Sequence, residues 1–335
     1  MNEFNPQQQV VPPIKPPITI KKEIKRSINY IVGGLLLYEI IMIIAMILYS
    51  LAMVLSMALT NHDYDYDELI NHLLLSLEKS GAPYLIAILI GIPLLLLYYW
   101  TIHPQKIKKL FISKSPMNAK TFFLIFIVFM SSQGLFAIIG AALEAFFNLF
   151  HLSVLDALEE IPQSSTLSMF LYVSFLGPIT EELIFRGLIL RKLQKYGTLF
   201  AIIVSSILFG AFHGNLAQGL FATFIGFIFA YVAIEYSISW AILLHIINNF
   251  IFCEALSFIT SGLNPAIQDL ISNTLFGGFL ISSIIILVLY RKHILTYIHS
   301  HRTQKRFYGY AFTSCVMILF FIIQAITGIL SIQSI

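Results

Sequence analysis

The chain has 335 residues, of which 58% are apolar and only 11% are charged, whereas a typical soluble domain carries about 25% charged residues. This composition excludes an ordinary soluble domain and predicts an all-α fold, a polytopic transmembrane helical bundle. The formal net charge is only +3, so the arrangement of the charges is more informative than their sum. Cys253 and Cys315 both lie in apolar runs, which excludes a disulfide framework and a thiolate zinc site.

The first predicted element is a polar, proline-rich segment over residues 1–27, which indicates a disordered basic cytoplasmic tail. It is too polar and too long for a cleavable signal peptide. A bilayer core requires about 20 apolar residues per helix, and the segments that approach this length predict about nine spans (eight to nine). These segments are 30–58, 84–100, 121–149, 166–190, 198–213, 216–235, 238–258, 273–290 and 308–332.

The predicted spans fall into three regions. Residues 28–165 hold the N-terminal transmembrane spans, residues 166–258 hold a core that contains most of the polar residues, and residues 259–335 hold the C-terminal spans. Between the first two spans, the segment from Glu68 to Leu77 predicts an amphipathic helix that lies on the outer surface.

Basic and acidic residues alternate from loop to loop. All but Lys79 of the 20 Lys and Arg residues lie in the tail, the loop after span two, the end of span four, or the loops that follow span eight. The intervening loops carry Asp and Glu. Because cytoplasmic loops are enriched in Lys and Arg, this pattern predicts a multi-pass protein of the cell membrane with its N-terminus in the cytoplasm and its C-terminus outside.

Ionisable and amide side chains concentrate in the core region. A charged group in the hydrocarbon is costly unless it is paired, so such residues are functional candidates. The candidates are Glu181, Glu182, Arg186, His213, His245 and Asn249. Since they lie on three different predicted spans, they predict one small polar cavity that holds water.

The two glutamates of span four are expected to have different surroundings. Pro178 lacks an N–H and is expected to kink or restart the helix, which would place Glu181 near a fresh helix N-terminus. Glu182 and Arg186 are four residues apart in the favourable order for an ion pair. Glu181 is rotated by about 100° from Glu182, so it is expected to face another helix.

Such a cavity contains the groups that hydrolysis of an acyl bond requires. A carboxylate and an imidazole can hold a water molecule and accept its proton. His245 and Asn249 lie one turn apart, so they share a helix face and can donate hydrogen bonds to an oxyanion. Zinc held by Glu181, His213 and His245 is the alternative. No cofactor is favoured, because Asn249 is a poor zinc ligand and the chain has no His-Glu-x-x-His sequence.

The predicted depths of these residues in the membrane differ, which conflicts with the prediction that they share one cavity. Counted from the cytoplasmic ends of the predicted spans, His213 lies on the order of 10 Å deeper than Glu181 and His245. Span five is therefore expected to tilt, to start deeper or to cross late.

Three motifs in the core region resemble those of a known family, the CAAX-protease and bacteriocin-processing (CPBP, or Abi) intramembrane proteases. The motifs are Glu181-Glu182-x-x-Phe185-Arg186-Gly187, Phe209-x-x-x-His213 and His245-x-x-x-Asn249. The resemblance covers about residues 166–258. It implies an intramembrane endopeptidase, which is either glutamate-dependent or a metalloprotease.

The resemblance also implies roles for the motif residues. Glu181 with His213 would activate a water molecule, and His245 with Asn249 would stabilise the oxyanion. The remaining pair, Glu182 and Arg186, would brace the site. The expected partners are the lipid bilayer and a membrane-associated peptide or protein substrate, with no nucleic acid.

Two other classes of function compete with a protease. A non-catalytic membrane immunity or scaffold protein would keep the fold and act by binding, whereas bacteriocin or peptide processing and self-immunity are the processes that the resemblance implies for an enzyme. An ion or proton-coupled transporter would show paired broken helices in two halves of the chain, and the sequence has no such repeat. Replacement of Glu181 by Gln separates the protease from the scaffold, because only the protease requires the charge.

Overall fold

The computed structural model describes residues 19–59, 65–99, 104–154 and 166–334, and it confirms the all-α class. The helices of these ranges are α1 (Ile20–Leu59), α2 (Tyr66–Lys79), α3 (Ala82–Tyr98), α4 (Pro104–Phe111), α5 (Ala119–Asn148), α6 (Leu167–Tyr196), α7 (Thr198–Ala211), α8 (Leu216–Glu235), α9 (Ile238–Thr260), α10 (Pro265–Ser300), α11 (Lys305–Phe312) and α12 (Cys315–Leu330). Two short strands, β1 (Leu152–Ser153) and β2 (Gln333–Ser334), pair in antiparallel register.

Six of the described helices are long and apolar enough to cross a membrane: α1, α5, α6, α8, α9 and α10. Two bent pairs of helices raise this number to eight if each pair is one span. These pairs are α2 with α3, bent by 56°, and α11 with α12, bent by 66°. The fifth predicted span, 198–213, corresponds to α7, which has 14 residues and rises only about 21 Å. The described helices therefore give six candidate spans, or eight if each bent pair is one span, and eight is the lower value of the predicted range.

The start of α1 corrects the predicted tail. Helix α1 begins at Ile20, so the prediction of disorder is wrong from residue 20 to residue 27, while residues 1–18 lie outside the described ranges. Ile24 and Ile28 are fully buried, and Lys25 Nζ donates to the carbonyl of Thr313 at 2.8 Å. The polar residues of this segment alternate with buried isoleucines at helical spacing, and this pattern explains why it is ordered.

Helix α6 corrects the expected break at Pro178. The helix continues through the proline, and its turns at Tyr172–Leu176 and Leu183–Leu190 are π-helical. In the first π turn the N–H of Gly177 donates to the carbonyl of Tyr172, so the wider turn accommodates a residue that has no N–H. Glu181 consequently lies inside a continuous helix and not at a fresh N-terminus. Turns of this type occur frequently at functional sites.

The α6–α7 hairpin removes the expected difference in depth. Helix α6 ends at Tyr196, six residues beyond the predicted end at residue 190, and the chain turns at Gly197, whose φ is 132°. Glu181 and His213 are equally distant from Gly197 along the chain. Because Phe185 packs against Phe209 across the hairpin, with ring centroids 5.0 Å apart, the two helices run side by side and place both residues at one level.

Polar contacts bring the predicted cytoplasmic segments together at one end of the bundle. Lys195 Nζ lies 2.9 Å from Glu23 Oε1, which joins the end of α6 to the start of α1. Lys114, which precedes α5, forms an ion pair of 2.8 Å with Glu235 at the end of α8. Tyr297 of α10 donates to the same carboxyl group at 2.9 Å. This clustering is the arrangement that the alternating loop charges predict.

Candidate active site

The described core encloses a cavity of about 390 Å³. All four residues predicted to be catalytic line this cavity: Glu181, His213, His245 and Asn249. Aromatic rings form much of the remaining wall, contributed by Tyr84, Phe136, Tyr172, Phe209, Phe212 and Phe221. The structure thus places these four polar side chains around one cavity.

The predicted ion pair between Glu182 and Arg186 lies behind the cavity. Arg186 Nη1 donates to Glu182 Oε1 at 2.9 Å, and neither side chain has any exposed surface. Arg186 Nη2 also donates to the carbonyl of Gly226 at 3.2 Å. The guanidinium group lies between two rings, 4.3 Å from the centroid of Phe209 and 5.2 Å from that of Phe229. These contacts hold the Glu182 carboxylate in one position.

Glu182 in turn orients His245. His245 Nδ1 lies 3.1 Å from Glu182 Oε1, and because a carboxylate only accepts hydrogen bonds, the proton is assigned to Nδ1. The other ring nitrogen, Nε2, lies 3.8 Å from Glu181 Oε2. Glu181 keeps 23% of its side chain exposed, in contrast to the fully buried Glu182. The two adjacent glutamates therefore act on opposite edges of one imidazole.

His213 is oriented by its own helix end. Its Nδ1 lies 2.8 Å from the carbonyl of Phe209, and a carbonyl only accepts, so this nitrogen is also assigned the proton. In neutral His213, Nε2 then remains an acceptor. The ring stands edge to face against Phe209 at a centroid distance of 5.0 Å. The Phe-x-x-x-His spacing thus provides both an aromatic wall and the carbonyl that fixes the histidine.

Asn249 is anchored by a backbone carbonyl that the π turn releases. Gly177 donates to Tyr172 and Pro178 has no N–H, so the helix supplies no regular donor to the carbonyl of Val173. Asn249 Nδ2 donates to this carbonyl at 2.9 Å. The second N–H of the amide remains available to the cavity, which Asn249 lines. Pro178 therefore acts through the position of Asn249, and this link was not predicted from the sequence.

Two further side chains extend this hydrogen-bonded chain. Asn248 Nδ2 donates to Asn249 Oδ1 at 3.0 Å, and Gln133 Nε2 of α5 donates to Asn248 Oδ1 at 2.6 Å. Sequence reasoning missed Gln133, although an amide inside an apolar span is itself a signal, because such a group requires a partner. Its partner could not be identified without knowing that α5 packs beside α9.

The predicted zinc ligands do not form a metal site in this conformation. Within the described ranges, no group of three or more His, Cys, Asp and Glu side chains is placed to hold a metal ion. The Nδ1 atoms of both histidines contact protein acceptors, which leaves their Nε2 atoms as the ring nitrogens available to a ligand. Glu181, His213 and His245 border one cavity.

The fold and the cavity define a helical membrane protein with a polar site among its spans. Residues 163–251 match the family model described as "Type II CAAX prenyl endopeptidase Rce1-like". The chain is also similar to "Putative membrane peptidase YdiL" of Bacillus subtilis (strain 168), with 34% identity over 99 residues, which is 29% of this chain and 38% of that protein. No solved structure matches the chain.

These matches confirm the resemblance to CPBP proteins that the three motifs indicate. The segment matched by the family model contains every motif residue, from Glu181 to Asn249. It does not contain Gln133, which reaches the cavity from α5. The alignment with the Bacillus protein spans less than half of that protein, so the likeness concerns the core region.

Proposed function

We propose that the chain is an intramembrane endopeptidase that hydrolyses a peptide bond of a membrane-associated peptide or protein. The main observation in favour of this function is that a partly exposed carboxylate, Glu181, lines one cavity together with His213, His245 and Asn249. The family match and the similarity to a membrane peptidase support the same class of reaction. In the proposal, a water molecule held by these polar groups is the nucleophile.

In the proposed reaction, Glu181 accepts a proton from a water molecule that His213 Nε2 orients. The water oxygen attacks the carbonyl carbon of the scissile peptide, and the carbonyl π bond opens to an oxyanion. The tetrahedral intermediate then collapses and the C–N bond breaks. Glu181 delivers its proton to the leaving nitrogen, so the products are a free amine and a new carboxyl terminus.

The oxyanion is proposed to accept hydrogen bonds from His245 Nε2 and Asn249 Nδ2. Because His245 Nδ1–H already donates to Glu182, donation from Nε2 requires the imidazolium form. This form also balances the buried charges, since two carboxylates, Glu181 and Glu182, then face two cations, Arg186 and His245. An uncompensated charge in this environment would cost several kcal/mol.

The proposed mechanism uses Glu181 as the base and requires no metal. We expect that treatment of the purified protein with a strong divalent-metal chelator leaves the cleavage rate within about twofold of the untreated rate. The rate is measured in liposomes before and after dialysis, with metal content determined by mass spectrometry. A loss of activity that zinc restores would contradict this assignment and favour Glu181, His213 and His245 as ligands.

The Glu181→Gln variant tests the proposed function. The amide preserves the shape of the side chain but is not a base, so we expect defined membrane-peptide N-termini to disappear from cells that carry the variant. The measurement compares N-terminal profiles from cells that express wild type and variant at matched levels. The lost N-termini would identify the substrate.

Identical profiles would contradict the proposed protease. If the variant then also rescued the phenotype of a deletion strain, the non-catalytic immunity or scaffold function would replace it. Within the protease class, processing of a bacteriocin or another peptide and self-immunity remain the proposed processes.

We further propose that the protein lies in the cell membrane with its N-terminus in the cytoplasm and its C-terminus outside. The one-sided cluster of basic residues around Lys114 and Lys195 supports this orientation. The bilayer is then the medium through which the substrate reaches the cavity.

A further inference from the structure

Gln133 is the one side chain in the described hydrogen-bonded chain to Asn249 that lies outside the segment matched by the family model. It lies on α5 and lines the same cavity, next to the buried Ser132. Its Nε2 donates to Asn248 Oδ1 at 2.6 Å. This hydrogen bond joins side chains of two different helices, α5 and α9.

The chain of amides has a single direction. Asn248 accepts from Gln133 through Oδ1 and donates to Asn249 Oδ1 through Nδ2. Asn249 donates in turn to the carbonyl of Val173, which only accepts. Reversal of any amide would place two acceptors or two donors against each other. The chain therefore holds Asn249 with its Nδ2 group at Val173 and its second N–H free.

We propose that Gln133 is a positioning residue that keeps the N–H of Asn249, and not its carbonyl oxygen, available to the substrate. This inference rests on the proposed function, in which Asn249 donates to the oxyanion. An amide has nearly the same shape in both orientations, so the shape of the cavity does not select one. The Val173 carbonyl, which can only accept, selects the orientation of Asn249 at one end of the hydrogen-bonded series, and the N–H of Gln133 supports the same direction at the other end.

The role of Gln133 predicts that two different substitutions both slow cleavage. Gln133→Leu removes the donor and leaves Asn248 Oδ1 without it, whereas Gln133→Glu replaces the donor by a carboxylate that repels Asn248 Oδ1. We expect each variant to cleave at least about tenfold more slowly than wild type, since a net hydrogen bond corresponds to about a tenfold change in an equilibrium. The matched control is Ser132→Ala, which removes only a bond to the carbonyl of Phe129 within α5 and should cleave at the wild-type rate.

The pH dependence distinguishes positioning from packing. When the carboxyl group introduced by Gln133→Glu is protonated, its O–H donates to Asn248 Oδ1 again. The rate of Gln133→Glu relative to wild type should therefore rise at least about fivefold as the pH falls from about 8 to about 5. The relative rate of Gln133→Leu should stay constant over the same range.

The experiment uses purified full-length variants added to a detergent extract of membranes from cells that express Glu181→Gln, which contains the uncleaved substrates. New N-termini are counted over time by mass spectrometry. In an Asn249→Ala background, Gln133→Leu should cause no additional loss, because both act through the same amide. Thermal unfolding of each variant shows whether a slower rate reflects loss of folded protein.

Three results would overturn the inference: a rate for Gln133→Leu within twofold of Ser132→Ala, an equal loss in the Asn249→Ala background, or a flat relative rate for Gln133→Glu. These results count against the inference only if, in the same experiment, wild type cleaves the substrates and Glu181→Gln does not. If wild type and Glu181→Gln instead produce the same N-termini, the proposed function itself fails and the role of Gln133 fails with it.

Discussion

Arg186→Leu is expected to destabilise the protein by about 3–5 kcal/mol, because it leaves the buried Glu182 carboxylate without its cation. Arg186 makes two hydrogen bonds, to Glu182 and to the carbonyl of Gly226, and its guanidinium contacts two aromatic faces. No water reaches either side chain, so solvent cannot replace these contacts. The measurement is thermal unfolding of the protein in detergent, together with the amount of protein that accumulates in membranes.

Arg291→Leu provides a matched control, because Arg291 is an exposed arginine of α10 and its loss should change stability by less than about 0.5 kcal/mol. Addition of Glu182→Gln to Arg186→Leu removes the uncompensated charge and should restore part of the lost stability. Arg186→Lys should not substitute fully, since an ammonium group lacks the planar fork that reaches two acceptors at once. Unfolding of Arg186→Leu at the wild-type temperature would contradict the structural role of the pair.

The membrane helices and the alternation of loop charges depend on the local sequence, which explains why the sequence predicts them well. Long apolar runs predict helices, because a backbone in lipid must satisfy its own hydrogen bonds. The alternation of loop charges predicts which ends lie together, and the pair of Lys195 with Glu23 agrees with it. The helix limits were less accurate, since α1 begins ten residues before its predicted span and α6 ends six residues after its predicted span. In both cases charged residues continue a helix beyond its apolar stretch.

For the candidate site, spacing predicted the neighbours that lie on one helix. Glu182 and Arg186 pair across one turn, and His245 and Asn249 line one cavity. Spacing did not predict the contact between Glu182 and His245, because it depends on how α6 packs against α9. It also assigned the effect of Pro178 to a helix break, whereas the structure shows a π turn whose released carbonyl binds Asn249. Contacts between helices depend on how the helices pack against each other. A single sequence does not reveal that packing.

Gly210→Ala is expected to destabilise the α7–α8 hairpin by about 1–3 kcal/mol or more, the usual cost of overpacking. A Cβ atom at Gly210 would overlap Thr223 Oγ1 and the carbonyl of Gly219. Thr223 Oγ1 already donates to that carbonyl at 2.8 Å, so neither group can move without losing a hydrogen bond. The two helices would therefore have to separate, and thermal unfolding in detergent measures the cost.

The same separation should reduce catalysis, because His213 follows Gly210 by less than one turn at the tip of the hairpin. A displacement of about 1 Å at a reacting group can cost about 100-fold in rate, so the cleavage rate of the folded fraction should fall more than stability alone explains. Gly277→Ala is the matched control, since a Cβ atom at Gly277 of α10 meets nothing within 4 Å. Equal behaviour of the two alanine variants would mean that the contact at Gly210 does not set the position of His213. A selective loss in Gly210→Ala would show that the close approach of α7 and α8 at Gly210 sets the position of His213.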